Sequence, residues 1–577
     1  MSERRPGGGG RHPGGGSGGA GRRPGGGTGA GGHRPDRRAD GGGERPDRGA
    51  DGGGQRPDRG ADGGGQRRGR DAGAGRHGAG AAGSPRRARP TTGGAVGRAP
   101  RRRGPDAARQ AAFDVLRQVV ESDAYANLVL PGLLRERGIG GRDAAFATEL
   151  AYGTLRLRGR YDAVLALCTN GRPLESLDAP VLDVLRLGAH QILGMRVPSH
   201  AAVSESVALA RAVTGPGPAG LVNAVLRAVA RRSVDEWLAA IADAADPLGS
   251  DVVARLAVTE SHPAWIARAL RQSLVANGRP AEELDELLAA DNTAPHVTLV
   301  ARPGLVTADE LAAEAARRTG AAPRAGRWSS LALVLRGGDP ADLPAVRRAA
   351  AGAQDEGSQL VALALAAAPL AGGDGAAADA SWLDLCAGPG GKAALLGALA
   401  HERGAHLLAN EVAPHRARLV RRSVAAVPHG TVEVRTGDGR DLGAERPGGF
   451  DRVMVDAPCT GLGALRRRPE SRWRRTPEDL AGLGSLQREL LGSALDATRP
   501  GGVVAYVTCS PHVAETHVVV EDVVRRRGDV EVLDATATME SVTADRLPGL
   551  GAGPYVQLWP HLHGTDAMFL ALLRKTT

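Results

Sequence analysis

The sequence predicts a multidomain protein with a disordered amino-terminal tail, an all-α domain, a small α+β subdomain and a carboxyl-terminal α/β Rossmann-like domain. Three observations predict this architecture. The chain has 577 residues, more than one hydrophobic core usually organises. Its beginning is dominated by glycine and arginine. The remainder changes from helical spacing of apolar residues to alternating apolar strands and helices. We place the four parts at residues 1–104, 105–232, 233–352 and 353–577.

The tail, residues 1–104, has almost no side chain that could build a core, and we expect it to be disordered. The unit Arg34-Pro-Asp-Arg-Arg-Ala-Asp-Gly-Gly-Gly recurs nearly unchanged from Arg45 and from Arg56, without the apolar residues that stacked repeats need. The formal net charge of +10 resides here, because the tail carries about 23 arginines against about 9 acidic residues. The tail is either a solvated extension or a loose tether for RNA phosphates.

The composition also indicates the cellular compartment of the protein. No stretch reaches the roughly 18 apolar residues that a membrane span needs, and arginine and glycine stand where a signal peptide would carry an apolar core. The cysteines Cys168, Cys386, Cys459 and Cys509 are scattered, without metal-ligand spacing or the density of a disulfide-stapled fold. We therefore expect a cytoplasmic protein that binds neither a membrane nor a metal.

The all-α domain begins with one apolar stripe that Asp106 is placed to cap. The stripe consists of Ala112, Val115, Leu116, Val119 and Val120. Glycine and proline signals separate the amphipathic helices that follow. We predict these helices at Ala144 to Leu157, Ala179 to Leu193, His200 to Val213 and Leu221 to Val229.

The small α+β subdomain is predicted from a strand at His296 to Ala301, a helix at Ala308 to Arg317 and a strand at Leu331 to Leu335. Strands then alternate with helices from about Gln354, which predicts a parallel sheet covered by helices on both faces. We predict strands at Trp382 to Leu385, His406 to Asn410, Val432 to Thr436, Arg452 to Val455 and Val503 to Val507.

A glycine-rich turn, Leu383-Asp-Leu-Cys-Ala-Gly-Pro-Gly-Gly-Lys392, follows the first of these strands and precedes a helix. Such a turn lets a nucleotide-like ligand approach the backbone. It lacks both the Gly-x-Gly-x-x-Gly spacing and the Walker pattern, which favours a ligand with adenine and ribose but no phosphate. S-adenosylmethionine is such a ligand. Glu411, at the end of the second strand, is placed to accept the ribose hydroxyls, and Asp438, after the third, can reach the adenine. The alternative is a tight connection with exposed strand-end acids.

Two cysteines follow two further strands, in Asp456-Ala-Pro-Cys-Thr-Gly461 and Thr508-Cys-Ser-Pro511. The carboxyl ends of parallel strands converge on the ligand crevice, so both Cys459 and Cys509 should face it. Methylation of carbon 5 of a pyrimidine requires a thiolate to add to carbon 6 first, because carbon 5 is otherwise a weak nucleophile. Asp456 is suited to binding the cytosine ring nitrogen and amine. Buried structural cysteines are the alternative.

An arginine-rich segment follows the Cys459 loop, and guanidinium groups beside an indole suit phosphates and an unstacked base. A solvated charged loop is the alternative. The side chains that we expect to bind RNA are Arg466, Arg467, Arg468, Arg472, Trp473, Arg474 and Arg475.

The three motifs around the turn and the cysteines resemble those of the bacterial Sun (Fmu), or RsmB, family of ribosomal RNA cytosine-carbon-5 methyltransferases. Further similarities are Gln354-Asp-Glu-Gly-Ser-Gln before the first strand and Pro560-His-Leu-His-Gly-Thr-Asp near the end. His200-Ala-Ala-Val-Ser-Glu-Ser-Val and Gly220-Leu-Val-Asn-Ala-Val-Leu-Arg227 resemble the NusB-like RNA-binding domain of these enzymes. The resemblance covers the chain from about Ala107 onward.

The resemblance implies S-adenosylmethionine as cofactor and a cytosine of 16S ribosomal RNA as target. It also implies that Cys509 is the nucleophile and that Cys459 helps to release the product, a distinction that spacing leaves open. Two departures from the family pattern are Glu411 in place of the commoner aspartate and Ala393 where threonine or serine is usual. The implied cofactor contacts are Cys386, Ala387, Gly388, Pro389, Gly390, Gly391, Lys392, Glu411, Arg416, Asp438 and Asp456.

Three alternatives remain at this point. The first is an RNA-binding protein with an inert methyltransferase fold, and the second is a methyltransferase that acts on another RNA. The third is methylation of a protein or small molecule, which would not require the cysteine pair.

Overall fold

The computed structural model of the protein describes residues 106–371, 379–551 and 553–577. The prediction of a disordered tail at residues 1–104 lies outside these ranges. Within them, no helix combines the length and the apolar character needed to cross a membrane.

The helical region begins where the Asp106 carboxylate accepts a hydrogen bond from the backbone N–H of Arg109 and caps the first helix. Apolar residues spaced three and four apart bury one face of each helix, and side chains such as Leu116, Val184 and Leu226 share one core. The predicted helices are found, with ends that differ by a few residues. The helices are α1 (Ala107–Glu121), α2 (Ala126–Glu136), α3 (Gly141–Arg156), α4 (Arg158–Cys168), α5 (Ala179–Leu193), α6 (Ser199–Thr214), α7 (Ala219–Val229), α8 (Val234–Ala245), α9 (Val252–Thr259), α10 (Ala264–Ala276) and α11 (Leu284–Asp291).

A small antiparallel sheet follows, with the strand order β2-β3-β1-β4. Thr307 and Glu310 cap its long helix reciprocally, and Gly320 ends that helix in the left-handed region. Leu299, Leu311 and Leu333 lie in its core. The elements are β1 (Thr298–Ala301), α12 (Ala308–Thr319), β2 (Arg324–Ala325), β3 (Ala332–Val334), α13 (Pro344–Arg347) and β4 (Ala351–Ala353).

The large sheet has eight strands in the order β10-β12-β9-β8-β5-β6-β7, with β11 beside β12. Its strands are β5 (Ser381–Asp384), β6 (His406–Glu411), β7 (Val432–Thr436), β8 (Phe450–Asp456), β9 (Thr498–Thr508), β10 (Val530–Leu533), β11 (Val556–Gln557) and β12 (Phe569–Lys575). Alternate residues along the strands point into two different cores, one on each face of the sheet. Helices cover both faces, which confirms the Rossmann-like α/β class. They are α14 (Glu356–Ala367), α15 (Gly391–Glu402), α16 (Pro414–Ser423), α17 (Leu442–Glu445), α18 (Asp479–Ala497), α19 (His517–Arg526), α20 (Ala535–Val542) and α21 (Pro560–His563).

The prediction of a parallel sheet is correct for the five predicted strands, β5 to β9, and the strands that follow were not predicted. β12 runs antiparallel to β9, β10 and β11, so the sheet is mixed. The connection from β11 to β12 contains only the short helix α21, whereas a parallel neighbour needs a long crossover.

The strand order fixes where a ligand can bind. The chain proceeds from β5 to β6 and β7 on one side and then places β8 and β9 on the other side of β5. A crevice therefore opens at the carboxyl ends of β5 and β8, the usual ligand site of such sheets.

Candidate active site

The glycine turn connects β5 to α15 and lies against the end of β6. The backbone N–H of Gly388 donates to Glu411 Oε2 at 3.0 Å, and Arg416 donates to the Gly388 carbonyl at 2.6 Å. A Cβ atom at Gly388 would collide with the Glu411 carboxylate. Gly390, with φ of 113°, occupies a backbone conformation that favours glycine. The structure thus brings together the turn, Glu411 and Arg416.

The two acids expected to hold the cofactor lie in different surroundings. Glu411 is only 2% exposed and faces the turn, and Val412 beside it is 62% exposed at the same strand end. Asp438, after β7, binds Arg440 instead of the turn, and the hydrogen bonds from Arg440 lower its pKa. Asp438 is therefore at the expected strand end but already paired.

Asp384, which the sequence reasoning did not single out, ends β5 beneath the turn. Its side chain is buried, and neither carboxylate oxygen has a hydrogen-bond partner within the described ranges. Burial, assisted by the charge of Asp456, raises its pKa to about 7. Its place as the last residue of a buried strand, directly before the turn, was the available signal. Burial also raises the pKa of Cys386, which keeps that thiol protonated.

An ion pair joins the start of α15 to the end of β8. Lys392 Nζ lies 2.9 Å from Asp456 Oδ2. Burial alone would lower the pKa of Lys392, but the charge and hydrogen bond of Asp456, together with the charges of Cys509 and Asp384, outweigh burial and the pKa is raised. A cation and a carboxylate therefore stand side by side at the crevice between β5 and β8.

The two motif cysteines lie side by side, with their Sγ atoms 3.5 Å apart. A hydrogen bond from the Cys459 thiol lowers the pKa of Cys509, and the charges of Lys392 and Arg468 act in the same direction against burial. The same hydrogen bond, together with burial, raises the pKa of Cys459 well above its usual value. The arrangement favours a thiolate at Cys509 and a thiol at Cys459.

A buried carboxylate holds the two cysteine loops together. Glu515 accepts hydrogen bonds from the Thr460 backbone N–H at 2.8 Å, from the Ser510 hydroxyl at 2.6 Å and from the Thr460 hydroxyl. Gln487 donates both to Glu515 and to the Pro458 carbonyl. Glu515 lies within the motif that carries Cys509, but nothing in the sequence shows which loop it reaches.

The side chains of the arginine-rich segment do not all lie where we expected RNA to bind. Arg472 is fully buried and donates to the carbonyls of Arg156, Ser261 and Asp291 and to the side chain of Asn292. These partners belong to the helical region, so Arg472 fastens that region to the α/β region.

Most of the neighbouring side chains are also engaged with protein. Arg466 and Arg467 form ion pairs with Asp355 and Asp566. Trp473 packs closely against Gly159, and Arg474 donates to carbonyls at the end of α1 and in the loop that follows. We therefore correct the RNA-binding prediction for the buried Arg466 and Arg472, whose charges bind other parts of the protein. Arg467, Trp473 and Arg474 are half-buried and stay predictions. Arg468 is exposed and Arg475 half-buried, and both stay predictions.

Comparison with known proteins places this site in a family. Residues 376–574 match the family model described as 16S rRNA methyltransferase RsmB/F, and residues 106–231 match the NusB family. The ribosomal RNA small subunit methyltransferase B of Xanthomonas campestris is 31% identical over 487 residues, which cover 82% of this chain and 98% of that protein. The chain belongs to the RsmB/F family. It is therefore an S-adenosylmethionine-dependent ribosomal RNA methyltransferase, which confirms the resemblance seen in the motifs.

Two further proteins resemble this RsmB/F chain along most of their length. Rv1407 of Mycobacterium tuberculosis is 52% identical over 480 residues, covering 83% of this chain and 99% of that protein. The crystal structure of PH0851 covers 81% of this chain and 97% of its own, with a TM-score of 0.64 and 19% identity. The latter shows a shared fold only.

Proposed function

We propose that this RsmB/F protein methylates carbon 5 of a cytosine in 16S ribosomal RNA through a transient bond between Cys509 and carbon 6. The observation that carries the proposal is the cysteine pair, whose geometry favours a thiolate at Cys509 beside a protonated Cys459. A methyltransferase that acts on oxygen or nitrogen would have no use for such a pair.

The proposed sequence of steps begins at Cys509. The Cys509 thiolate adds to carbon 6, and the electrons of the carbon 5–carbon 6 double bond become available at carbon 5. Carbon 5 then bonds to the methyl carbon, which bound S-adenosylmethionine would supply as an electrophile; the bond between that carbon and the sulfonium sulfur breaks, and S-adenosylhomocysteine would leave as a neutral thioether. A base removes the proton from carbon 5, the bond between Cys509 and carbon 6 breaks, and the ring regains its double bond.

Asp456 and Cys459 assist at opposite ends of this sequence. Asp456 would bind the cytosine amine and ring nitrogen and so stabilise the adduct. Cys459 keeps Cys509 ionised before attack through its hydrogen bond, and it helps to release the product afterwards. Loss of Cys459 should therefore slow product release most strongly, and because the pKa of Cys509 rises it should also slow attack at low pH.

The cofactor fits the crevice at the turn. Gly388, Pro389 and Gly391 line an open cleft, and Asp384 offers two buried oxygens that have no hydrogen-bond partner in the described part of the chain. Residues 386–392 would hold the methionine part, while Glu411 would accept the ribose hydroxyls. Asp438 would reach the adenine after leaving Arg440, and Arg416 would keep the turn in place.

The choice of RNA and compartment is supported by the relatives. The Xanthomonas campestris protein is named for the small ribosomal subunit, and the matching NusB family supports an RNA substrate. A cytoplasmic location follows from that substrate.

The proposal is tested by methylating an unmodified 16S ribosomal RNA transcript with isotopically labelled S-adenosylmethionine. We expect the label in 5-methylcytidine after digestion of the transcript to nucleosides. Bisulfite sequencing should find this modification at one position, and in cellular RNA only when the gene is present. Label in another nucleoside would contradict the proposal. Absence of transfer to any RNA would favour the inert RNA-binding alternative.

Cysteine variants test the nucleophile. Cys509→Ala should abolish methyl transfer while RNA and cofactor binding persist, and Cys168→Ala, at a buried cysteine of the helical region, is the matched control. Activity of Cys509→Ala at about a tenth of wild type or more would show that Cys509 is not the nucleophile.

A further inference from the structure

A cleft of about 690 Å³ lies between the helical region and the glycine turn. One wall comes from α2 and α3, and the opposite wall comes from the turn, Lys392 and Asp456. The charges of Lys392 and Asp456, which pair in this wall, both act on the pKa of Cys509. The cleft extends from the helical region to Lys392 and Asp456 at the crevice.

One cation in this cleft has no hydrogen-bond or ion-pair partner for its side chain among the described residues, although the charge of Glu149 on the same helix acts on it. Arg156, at the end of α3, is only 6% exposed, and its Nε atom has no hydrogen-bond partner. Among the described residues, no carboxylate forms an ion pair with its guanidinium, although its backbone carbonyl accepts a hydrogen bond from Arg472. The other arginines of the cleft, Arg466 and Arg467, are both paired with acids.

An unpaired buried guanidinium costs free energy unless an anion binds it. Burial lowers the pKa of Arg156, in line with this cost. Tyr152 lines the same cleft one helical turn earlier, so a phenol ring and a guanidinium project from one face of α3. An aromatic ring next to an arginine suits a single-stranded nucleotide, whose base stacks while its phosphate is bound.

We infer that Arg156 binds a backbone phosphate of the RNA strand that carries the target nucleotide, and that this strand reaches the active site through the cleft between α3 and the glycine turn. The inference rests on the proposed function for the identity of the RNA. It assigns to the NusB-like part a direct contact beside the reacting base rather than a remote tethering role.

The test compares Arg156→Met and Arg156→Lys with Arg142→Met, an exposed arginine at the start of the same helix. Arg156→Met removes the charge and keeps an apolar side chain of similar length. Because the guanidinium forms no hydrogen bond or ion pair with the described residues, we expect a Tm at or above that of wild type. The dissociation constant for an unmodified 16S ribosomal RNA transcript should rise about tenfold or more. The slope of log K against log salt should fall by about 0.7, the contribution of one phosphate contact to a single strand. Arg156→Lys should restore the slope, and Arg142→Met should behave as wild type.

A second candidate for the anion that Arg156 binds is the carboxylate of the cofactor. Titration with S-adenosylmethionine alone tests this candidate. We expect unchanged cofactor affinity in Arg156→Met. Weaker cofactor binding with unchanged RNA affinity would overturn the inference, as would wild-type RNA affinity and salt slope. If the wild-type protein methylates a different atom, the proposed function fails, yet the binding measurements still decide whether Arg156 contacts RNA.

Discussion

Replacement of Glu515 tests whether one buried carboxylate positions both cysteines. Its four hydrogen bonds reach the Cys459 loop, the Cys509 loop and α18. A hydrogen bond to a charged group contributes about 1.5–3 kcal/mol, and removing one partner of a buried charged network costs about 3–5 kcal/mol in total because such bonds are not additive. Glu515→Ala should therefore lower the free energy of unfolding by about 3–5 kcal/mol.

Glu515→Gln separates positioning from stability. The amide keeps the size of the carboxylate, and the Thr460 and Ser510 hydroxyls can rotate to accept from its NH₂ group, so the free energy of unfolding should fall by only about 1–2 kcal/mol. The two loops lose their charged anchor, and a misplacement of about 1 Å at a reacting group can reduce the rate about a hundredfold. We expect kcat for methylation of the 16S transcript to fall tenfold or more, with RNA and cofactor affinities retained.

The pH profile supplies a readout that a purely structural role would not change. If Glu515→Gln loosens the hydrogen bond from Cys459, the pKa of Cys509 rises, and the acid limb of the kcat/KM profile moves to higher pH. Glu489→Gln, at an exposed glutamate of α18 that pairs with Arg440, is the matched control. Wild-type kcat and an unshifted profile in Glu515→Gln would refute the reasoning.

Three further substitutions follow from the site. Lys392→Met removes a charge that favours the Cys509 thiolate, so the acid limb of kcat/KM should move to higher pH, whereas an unshifted limb would show that this charge does not act on Cys509. Arg472→Met removes four buried hydrogen bonds between two regions, and thermal unfolding should report a loss of about 3–5 kcal/mol that Arg142→Met does not show. Asp384 has a folded-state pKa of about 7, above its usual 3.8, so the ligand-free protein should lose up to about 4 kcal/mol of stability as pH rises from 4 to 7. Asp384→Asn should abolish this loss and be the more stable protein at pH 8, and a pH dependence equal to that of wild type would contradict the assignment.

Local signals predicted the elements that build the crevice. Helix α5 and strand β7 have the predicted bounds, because proline, glycine and apolar periodicity act within a few residues of each element. The turn and both cysteines were found for a related reason, since strand ends in a parallel sheet converge on one edge.

Pairings between distant parts of the chain were not predictable in this way. The antiparallel placement of β12 depends on which strand it joins, and its own alternation of residues is the same in either direction. The partners of Arg472 lie about 180 residues or more away in sequence, so a run of arginines gave no sign that its charges would be buried. Glu515 is a similar case, because its function depends on contacts with a loop from another strand.

The most direct test of the central claim is to look for the covalent adduct itself. Cys459→Ala should methylate the 16S transcript but release it slowly, so a covalent protein–RNA species should persist under denaturing conditions. Mass spectrometry of the digested complex should then locate the nucleotide on the peptide that contains Cys509. An adduct on a different residue, or methyl transfer at an undiminished rate by the double variant Cys459→Ala, Cys509→Ala, would contradict the account.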